Sequence, residues 1–386
     1  MKLLLVAGAR PNFMKIAPII RALSATRRAQ RATPSPYLRP HGGEGNASCT
    51  ASWKLVHTGQ HYDDAMSQSF FDDLGIPEPD YFLNAGSGSH AVQTAKVMVE
   101  FEKVCVKERP DVVIVVGDVN STLACAIVAK KCGSRLAHVE AGLRSDDMRM
   151  PEEINRIVTD RLADYLFVTE ESGLANLARE GAADARVHFV GNVMIDTLRH
   201  TLASLDSPSS LRPHEGPYAV LTLHRPSNVD DRETLEGILQ AIEEISRDMA
   251  VVFPAHPRTR NNIESFGFTR LVARSGVTVM PPLAYRQFLG LWRDAALVLT
   301  DSGGIQEETT ALGIPCFTIR DNTERPITIE EGTNTLVGTM GASIMKAYNE
   351  FKAGKTKKGR VPALWDGKAA ERIVNVLMGE TNEARI

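Results

Sequence analysis

The chain has 386 residues, 43% hydrophobic and 24% charged, and a formal charge of −3 from 44 basic and 47 acidic residues. That length predicts two domains, each with its own core, and the near balance of charge argues against a general binder of nucleic acid or of membrane surfaces. Five scattered cysteines (Cys49, Cys105, Cys125, Cys132, Cys316) form no CxxC pair and read as reduced thiols, and no run approaches about 20 apolar residues, so a soluble cytoplasmic protein is expected.

Residues 2–7 read as an apolar strand, and Ile16, Ile19, Ile20 and Leu23 space a helix over 14–24. Residues 25–52, rich in Arg, Pro, Gly and Ser, show no period and read as a long exposed insertion, partly disordered. Strand 54–57 resumes the pattern, followed by helices over 64–74 and 90–109. The run VVIVV at 112–116 is apolar on both faces, as a buried parallel strand requires. Helix 121–131, strand 135–139, helix 152–164, strand 165–168, helix 171–180, strand 187–190 and helix 193–202 continue the alternation. Residues 204–217 (SLDSPSSLRPHEGP) break the composition and read as a linker.

Beyond it come strand 218–223, helix 232–246, strands 250–254 and 277–280, and helix 285–293. Strand 297–300, helix 303–312, strand 315–319 and an amphipathic helix over 367–378 follow. Repeated βα units predict an α/β protein of two Rossmann-like, doubly wound parallel domains, 1–203 and 204–366, with residues 367–386 as a C-terminal helical segment. A ligand of such sheets sits at the carboxyl ends of the strands, where the two sheets are expected to face each other.

Those strand ends carry the chemistry. The stretch LVLTDSGGIQEE at 297–308 ends a strand in Thr-Asp-Ser and opens a helix with Gly303 and Gly304, whose N–H groups can cradle a phosphate beside the Ser302 hydroxyl. Glu307 and Glu308, a turn further on, suit sugar hydroxyls. The plainer alternative is a βα turn with Ser302 as an N-cap. The first strand leads to Arg10, with Lys15 a turn later; strand 112–116 leads to Asp118; strand 135–139 leads to Glu140. The second domain adds His224-Arg225 and His256 at two strand ends. Plainer alternatives exist for each: Asp118 as a helix cap, Glu140 paired with Arg144, Glu152-Glu153 as first-turn acids on a helix dipole. No GxGxxG, P-loop, HExxH or GxSxG motif occurs, and no Asp-x-Asp metal motif stands at a strand end. No metal or cofactor is therefore expected, and Arg, Lys and backbone N–H would neutralise a nucleotide diphosphate.

Taken in order, GARPNFMK (8–15), HTGQHYDDAMSQSFF (57–71), GSGSHAVQTAKVM (86–98), VGDVNSTL (116–123), HVEAGLR (138–144), PEEINR (151–156), GNVMID (191–196), TLHR (222–225), TDSGGIQEE (300–308) and RDNTERP (320–326) span nearly the whole chain. As a set they resemble the non-hydrolysing UDP-N-acetylglucosamine 2-epimerases. The resemblance implies a glycosyltransferase-B-like pair of domains, commonly in a homodimer, with the catalytic carboxylates in the first domain, UDP bound by the second, and the C-terminal helix packed back on the first. The implied reaction interconverts UDP-GlcNAc and UDP-ManNAc through 2-acetamidoglucal. It assigns catalysis to Asp118, Glu140, Glu152 and His224, with Asp118 and Glu152 moving protons. Substrate contacts would come from Arg10, Lys15, His256, Ser302, Gly303, Gly304, Glu308 and Arg325.

The chain departs from the family's frequent Glu-Asn after His-Arg, reading Pro226-Ser227-Asn228. Some bacterial members are regulated through the region matching Gln60-His61. The alternatives are a hydrolysing 2-epimerase, a UDP-sugar glycosyltransferase of the same fold, and a catalytically silent nucleotide-sugar sensor.

Overall fold

A computed structural model of the chain describes residues 1–32, 51–59, 71, 73–205, 212 and 216–379. The chain divides into two compact units, Met1–Thr197 with Leu364–Ile386, and Leu198–Ala363.

The first unit is built on seven parallel strands: β1 (Lys2–Ala7), β2 (Ser52–His57), β3 (Tyr81–Phe82), β4 (Val112–Val116), β5 (Arg135–Ala141), β6 (Tyr165–Val168) and β7 (Val187–Phe189). They lie in the order β3-β2-β1-β4-β5-β6-β7. All five residues of β4 are buried, and Leu4 of β1 stands beside Val113 of β4. Val97, Phe101 and Val104 of the His90–Glu108 helix pack with Val113 and Val115 on one face. The order reverses between β1 and β4, so their following loops diverge and leave a crevice at the carboxyl ends.

The second unit repeats the plan with six parallel strands: β8 (Tyr218–Thr222), β9 (Ala250–Pro254), β10 (Thr278–Met280), β11 (Leu297–Thr300), β12 (Cys316–Thr318) and β13 (Asn334–Leu336). Their order is β10-β9-β8-β11-β12-β13, which puts the reversal between β8 and β11. Leu235, Ile238, Ile242 and Ile245 line one face of the Arg232–Ser246 helix and close its core.

The Ala369–Leu377 helix lies within the first unit and contacts the Arg10–Ala32 helix. Its own N-cap position, Lys368, supplies no capping bond. Asp196 does so instead, accepting from the N–H groups of Ala369 at 3.1 Å and Ala370 at 2.8 Å.

Three local expectations need correction. The first helix starts at Arg10 rather than 14 and runs on to Ala32, so residues 25–32 are not insertion: ATRRAQRA is made of helix formers that extend the preceding turn without an apolar period. Ser52 belongs to β2. The edge strands β3 and β13 were not anticipated, because a strand of two or three residues is too short to show alternation, and neither was the Gly341–Lys352 helix. Residues 33–50 of the insertion, residues 64–70 and 72 of the expected helix 64–74, and Gln60-His61 lie outside the described residues.

Candidate active site

In the first unit, the β1–β4 reversal gathers the acids. Asn12 ties the two loops together, accepting from Ala9 N at 3.0 Å and donating to Val116 O at 2.8 Å. The Arg10 side chain lies outside the described residues. Lys15, one turn into the helix, ion-pairs with Glu140, and both are buried. Glu140 sits where the β5–β6 register shifts between Val139 and Ala141, with φ +73°, a left-handed conformation that a non-glycine residue adopts only when its surroundings impose it. Gly117 has φ +66°, and a Cβ there would stand 2.9 Å from Lys15 Nζ and 3.5 Å from Glu140 Oε2. Only glycine fits both the backbone and the space.

Asp118 caps no helix: the Asn120–Lys131 helix has Val119 at its N-cap, without a side-chain bond. Its carboxylate instead receives Arg156, with Nη2 at 2.8 Å and Nε at 3.0 Å from Oδ2. Arg156 is braced in turn by Glu153, a fully enclosed acid that also accepts from Ser145 N, Ser145 Oγ and Asp146 N. Of the neighbouring acids, Glu153 is thus a structural knot. Glu152 is half-buried, and its side chain makes no hydrogen bond or ion pair among the described residues. Arg144 pairs with Asp160 and Glu180 rather than with Glu140.

In the second unit the β8–β11 reversal brings His224 against Asp301, the residue before Ser302. Asp301, wholly buried at the end of β11, accepts His224 Nδ1 at 2.8 Å, His224 N at 3.0 Å, Arg225 N at 2.9 Å and Asn228 Nδ2 at 3.2 Å. Burial would push this carboxyl up, but the His224 ring and the N–H donors outweigh it and hold it below its ordinary value. Asp301 thereby sets the ring's tautomer and leaves His224 Nε2 for a ligand. His256 is 6.3 Å from the His224 ring and caps the Pro257–Ser265 helix through Nδ1.

Ser302 makes no capping bond, and the Gly303–Leu312 helix has no acid in its first turn, so its N-terminal N–H groups and the serine hydroxyl stand ready for an anion. A Cβ on Gly303 would come within 2.9 Å of Glu324 Oε1. Glu324 is held by Arg320 at 2.8 Å and by Arg225 at 3.6 Å. Burial raises this carboxyl, but Arg325, Arg320 and Arg225 drive it far below the ordinary range. Arg325 itself is ion-paired with Glu307 at 2.7 Å. Sequence reading did not single out Asp301, Arg156 or Tyr285. Asp301 alone carried a usable signal, as an acid directly at a strand end.

Glu308 is buried and accepts Tyr285 Oη at 2.6 Å. Burial pushes its carboxyl up to about 8, against the Tyr285 hydrogen bond and with help from the Glu307 charge, so it keeps its proton at neutral pH and can donate as well as accept. The consequence for stability has a definite sign. The unfolded carboxyl titrates near 4.5 and the folded one near about 8, so the folded state binds the proton more tightly. The contribution is complete below the lower value, falls as pH rises, and is gone above the upper one. Urea unfolding across that window should show the decline, and Glu308→Gln, which is always neutral, should flatten it.

Two doubly wound parallel units with their polar residues at the carboxyl strand ends define an α/β protein of the glycosyltransferase-B-like class. Residues 45–378 match the UDP-N-acetylglucosamine 2-epimerase family model, and the chain belongs to that family. It is 42% identical to the UDP-N-acetylglucosamine 2-epimerase of Methanocaldococcus jannaschii, over 98% of this chain and 99% of that one. It is 40% identical to the UDP-2,3-diacetamido-2,3-dideoxy-D-glucuronate 2-epimerase of Pseudomonas aeruginosa, again over 98% and 99%. Among solved structures it resembles the M. jannaschii UDP-GlcNAc 2-epimerase in complex with UDP-GlcNAc and UDP, with a TM-score of 0.82 and 40% identity over 98% of this chain and all of that one. No helix among the described residues is long and apolar enough to cross a membrane.

Proposed function

We propose that the chain interconverts UDP-GlcNAc and UDP-ManNAc in the cytoplasm, without hydrolysis, by eliminating and re-adding UDP. The ring C2–H has no adjacent carbonyl to acidify it, so the C1–O bond must break with it. Its electron pair leaves on the UDP phosphate, the C2 proton passes to a carboxylate, and a C1=C2 double bond remains in 2-acetamidoglucal. Re-addition of UDP, with the proton delivered to the opposite face, gives the epimer. Ser302, the Gly303 and Gly304 N–H groups, Arg10 and His224 would stabilise the departing phosphate charge. Asp118 and Glu152 would take and return the proton, with Glu140 steadying the charge of the ring. Lys15, His256 and Arg325 would contact nucleotide or sugar, and Glu308 the ribose hydroxyls.

The observation that carries this reading is the pairing of functions within one family member: an uncapped, glycine-opened helix beside an Asp301-oriented histidine in one unit, and in the other two acids at strand ends with a third at a helix start. Incubating UDP-GlcNAc with the protein in D₂O and following H2 by NMR tests it. Deuterium at C2 with UDP-ManNAc formed is expected; free UDP with ManNAc would mean a hydrolysing enzyme, and an unchanged substrate would mean a transferase or a sensor. The 40% identity to the diacetamido-glucuronate enzyme favours a second reading, in which the same elimination acts on that modified sugar, and the same experiment with that substrate decides between them.

We also propose a homodimer that uses the His90–Glu108 helix. Val92, Val99 and Val106 are 49, 56 and 62% exposed and recur every seventh residue, the spacing of a helix–helix seam. Val99→Asp is expected to yield monomers in light scattering, with the fold unchanged by circular dichroism.

A further inference from the structure

A buried charge cluster beneath the strand ends of the first unit takes no part in the steps above. His138 of β5 is fully buried. Its Nδ1 stands 2.6 Å from Asp160 Oδ1 and its Nε2 stands 2.9 Å from Gly117 O. A backbone carbonyl can only accept, and so can an ionised carboxylate. Asp160 also receives Arg144 at 2.8 Å and Gly142 N at 3.0 Å on its other oxygen, the surroundings of a carboxylate. The Gly117 carbonyl therefore calls for the hydrogen on Nε2, and Nδ1 faces the Asp160 carboxyl group.

The two bonds reach the two loops that matter. Gly117 is the residue before Asp118. Asp160, besides meeting His138, accepts from Gly142 N at 3.0 Å, two residues after Glu140, and meets Arg144 at 2.8 Å. Arg144 continues into a bidentate pair with Glu180, at 2.8 Å on both arms. The ring therefore ties the β4 turn, with its left-handed Gly117, to the β5 irregularity, with its left-handed Glu140. A non-glycine residue held in that conformation, as Glu140 is, relaxes unless its surroundings fix it.

We propose that His138 is a positioning residue: its Nε2–H clamps the Gly117 carbonyl and, through Asp160, it holds the Gly142 amide, so that Asp118 and Glu140 present their carboxylates in one fixed geometry. This rests on the reading of Asp118 as a group that moves the C2 proton and of Glu140 as one that steadies the charge of the ring. It asks nothing of the nucleotide site, so loss of His138 should reach kcat and spare UDP binding.

Two substitutions separate the bonds. His138→Asn places an amide N–H near the Nδ1 position and keeps Asp160 but not Gly117; His138→Gln reaches the Nε2 position and keeps Gly117 but not Asp160. The expected result is a kcat for His138→Asn lower by roughly 10- to 100-fold, the usual effect of losing a positioning bond, with a smaller loss in His138→Gln. KM for UDP-GlcNAc and calorimetric UDP affinity should stay within about twofold in both, since the clamp acts on groups that work only in the transition state. A His138→Asn enzyme with wild-type kcat overturns the proposal, as does a loss of UDP affinity parallel to that of kcat. Nitrogen-15 NMR of the wild-type chain reads the clamp without any turnover: a protonated, exchange-protected Nε2 on His138 is expected, and a bare Nε2 overturns it. A wild-type enzyme that leaves UDP-GlcNAc unchanged would fail the epimerase reading instead, and the NMR result would still decide the clamp.

Discussion

Asp118→Asn is expected to lower kcat for epimerisation by about 10²- to 10⁴-fold, the range for removing a general acid–base group, with KM changed only a few-fold. The geometry explains why the effect should fall on chemistry rather than on folding. Asp118 is half-buried, its side chain 28% exposed, and its ion pair with Arg156 is partly screened by water. Asparagine keeps an oxygen for the arginine at 2.8 Å, and Arg156 retains its second partner, Glu153. What it loses is the capacity to take a proton. Deuterium incorporation at C2 should fall with turnover, and thermal unfolding should move little. A variant that exchanged the C2 hydrogen at the wild-type rate would remove Asp118 from the mechanism.

Asp301→Asn should be the more damaging change, because it strikes stability and chemistry together. The carboxylate takes four donors in a site with no water contact: two backbone N–H groups, the Asn228 amide and His224 Nδ1. An amide offers one oxygen in place of two, and its NH₂ faces donors. Breaking a buried pair of this kind costs about 3 kcal/mol or more. His224 loses the partner that orients it, which should lower kcat by a further 10- to 100-fold or so. Chemical denaturation and kcat should both shift; an enzyme with unchanged kcat would show that His224 needs no orienting acid.

How far the sequence speaks for itself differs between the two levels. Continuous apolar strands such as VVIVV and the regular βα alternation made both parallel sheets legible, because burial on two faces leaves short β-branched apolar runs at regular intervals between helical periods. The glycine-opened helix at Gly303 was legible for the same kind of reason: two glycines after a strand-end serine are a local device. The short edge strands and the extension of the first helix to Ala32 were not, since the former are too brief for a pattern and the latter has propensity without periodicity.

Partnerships were the harder matter. Arg144 and Glu140 are four residues apart and look like a pair, yet Glu140 meets Lys15, 125 positions away, and Arg144 meets Asp160 and Glu180. Asn228, which closes the Pro226-Ser227-Asn228 run where the family often has Glu-Asn, proves to link Asp301 to Ile319 O at 2.9 Å.

By itself the sequence determined the fold class, the family, and which strand ends bear acids, histidines and glycines, because these follow from local periodicity and from residue types at turns. Only the tertiary structure decided which of two adjacent glutamates is locked in a knot and which is available, that Asp301 governs His224, and that Glu308 keeps its proton. Those outcomes depend on burial and on partners brought together from distant positions, and a carboxylate's charge is set by its surroundings in space rather than by its neighbours along the chain.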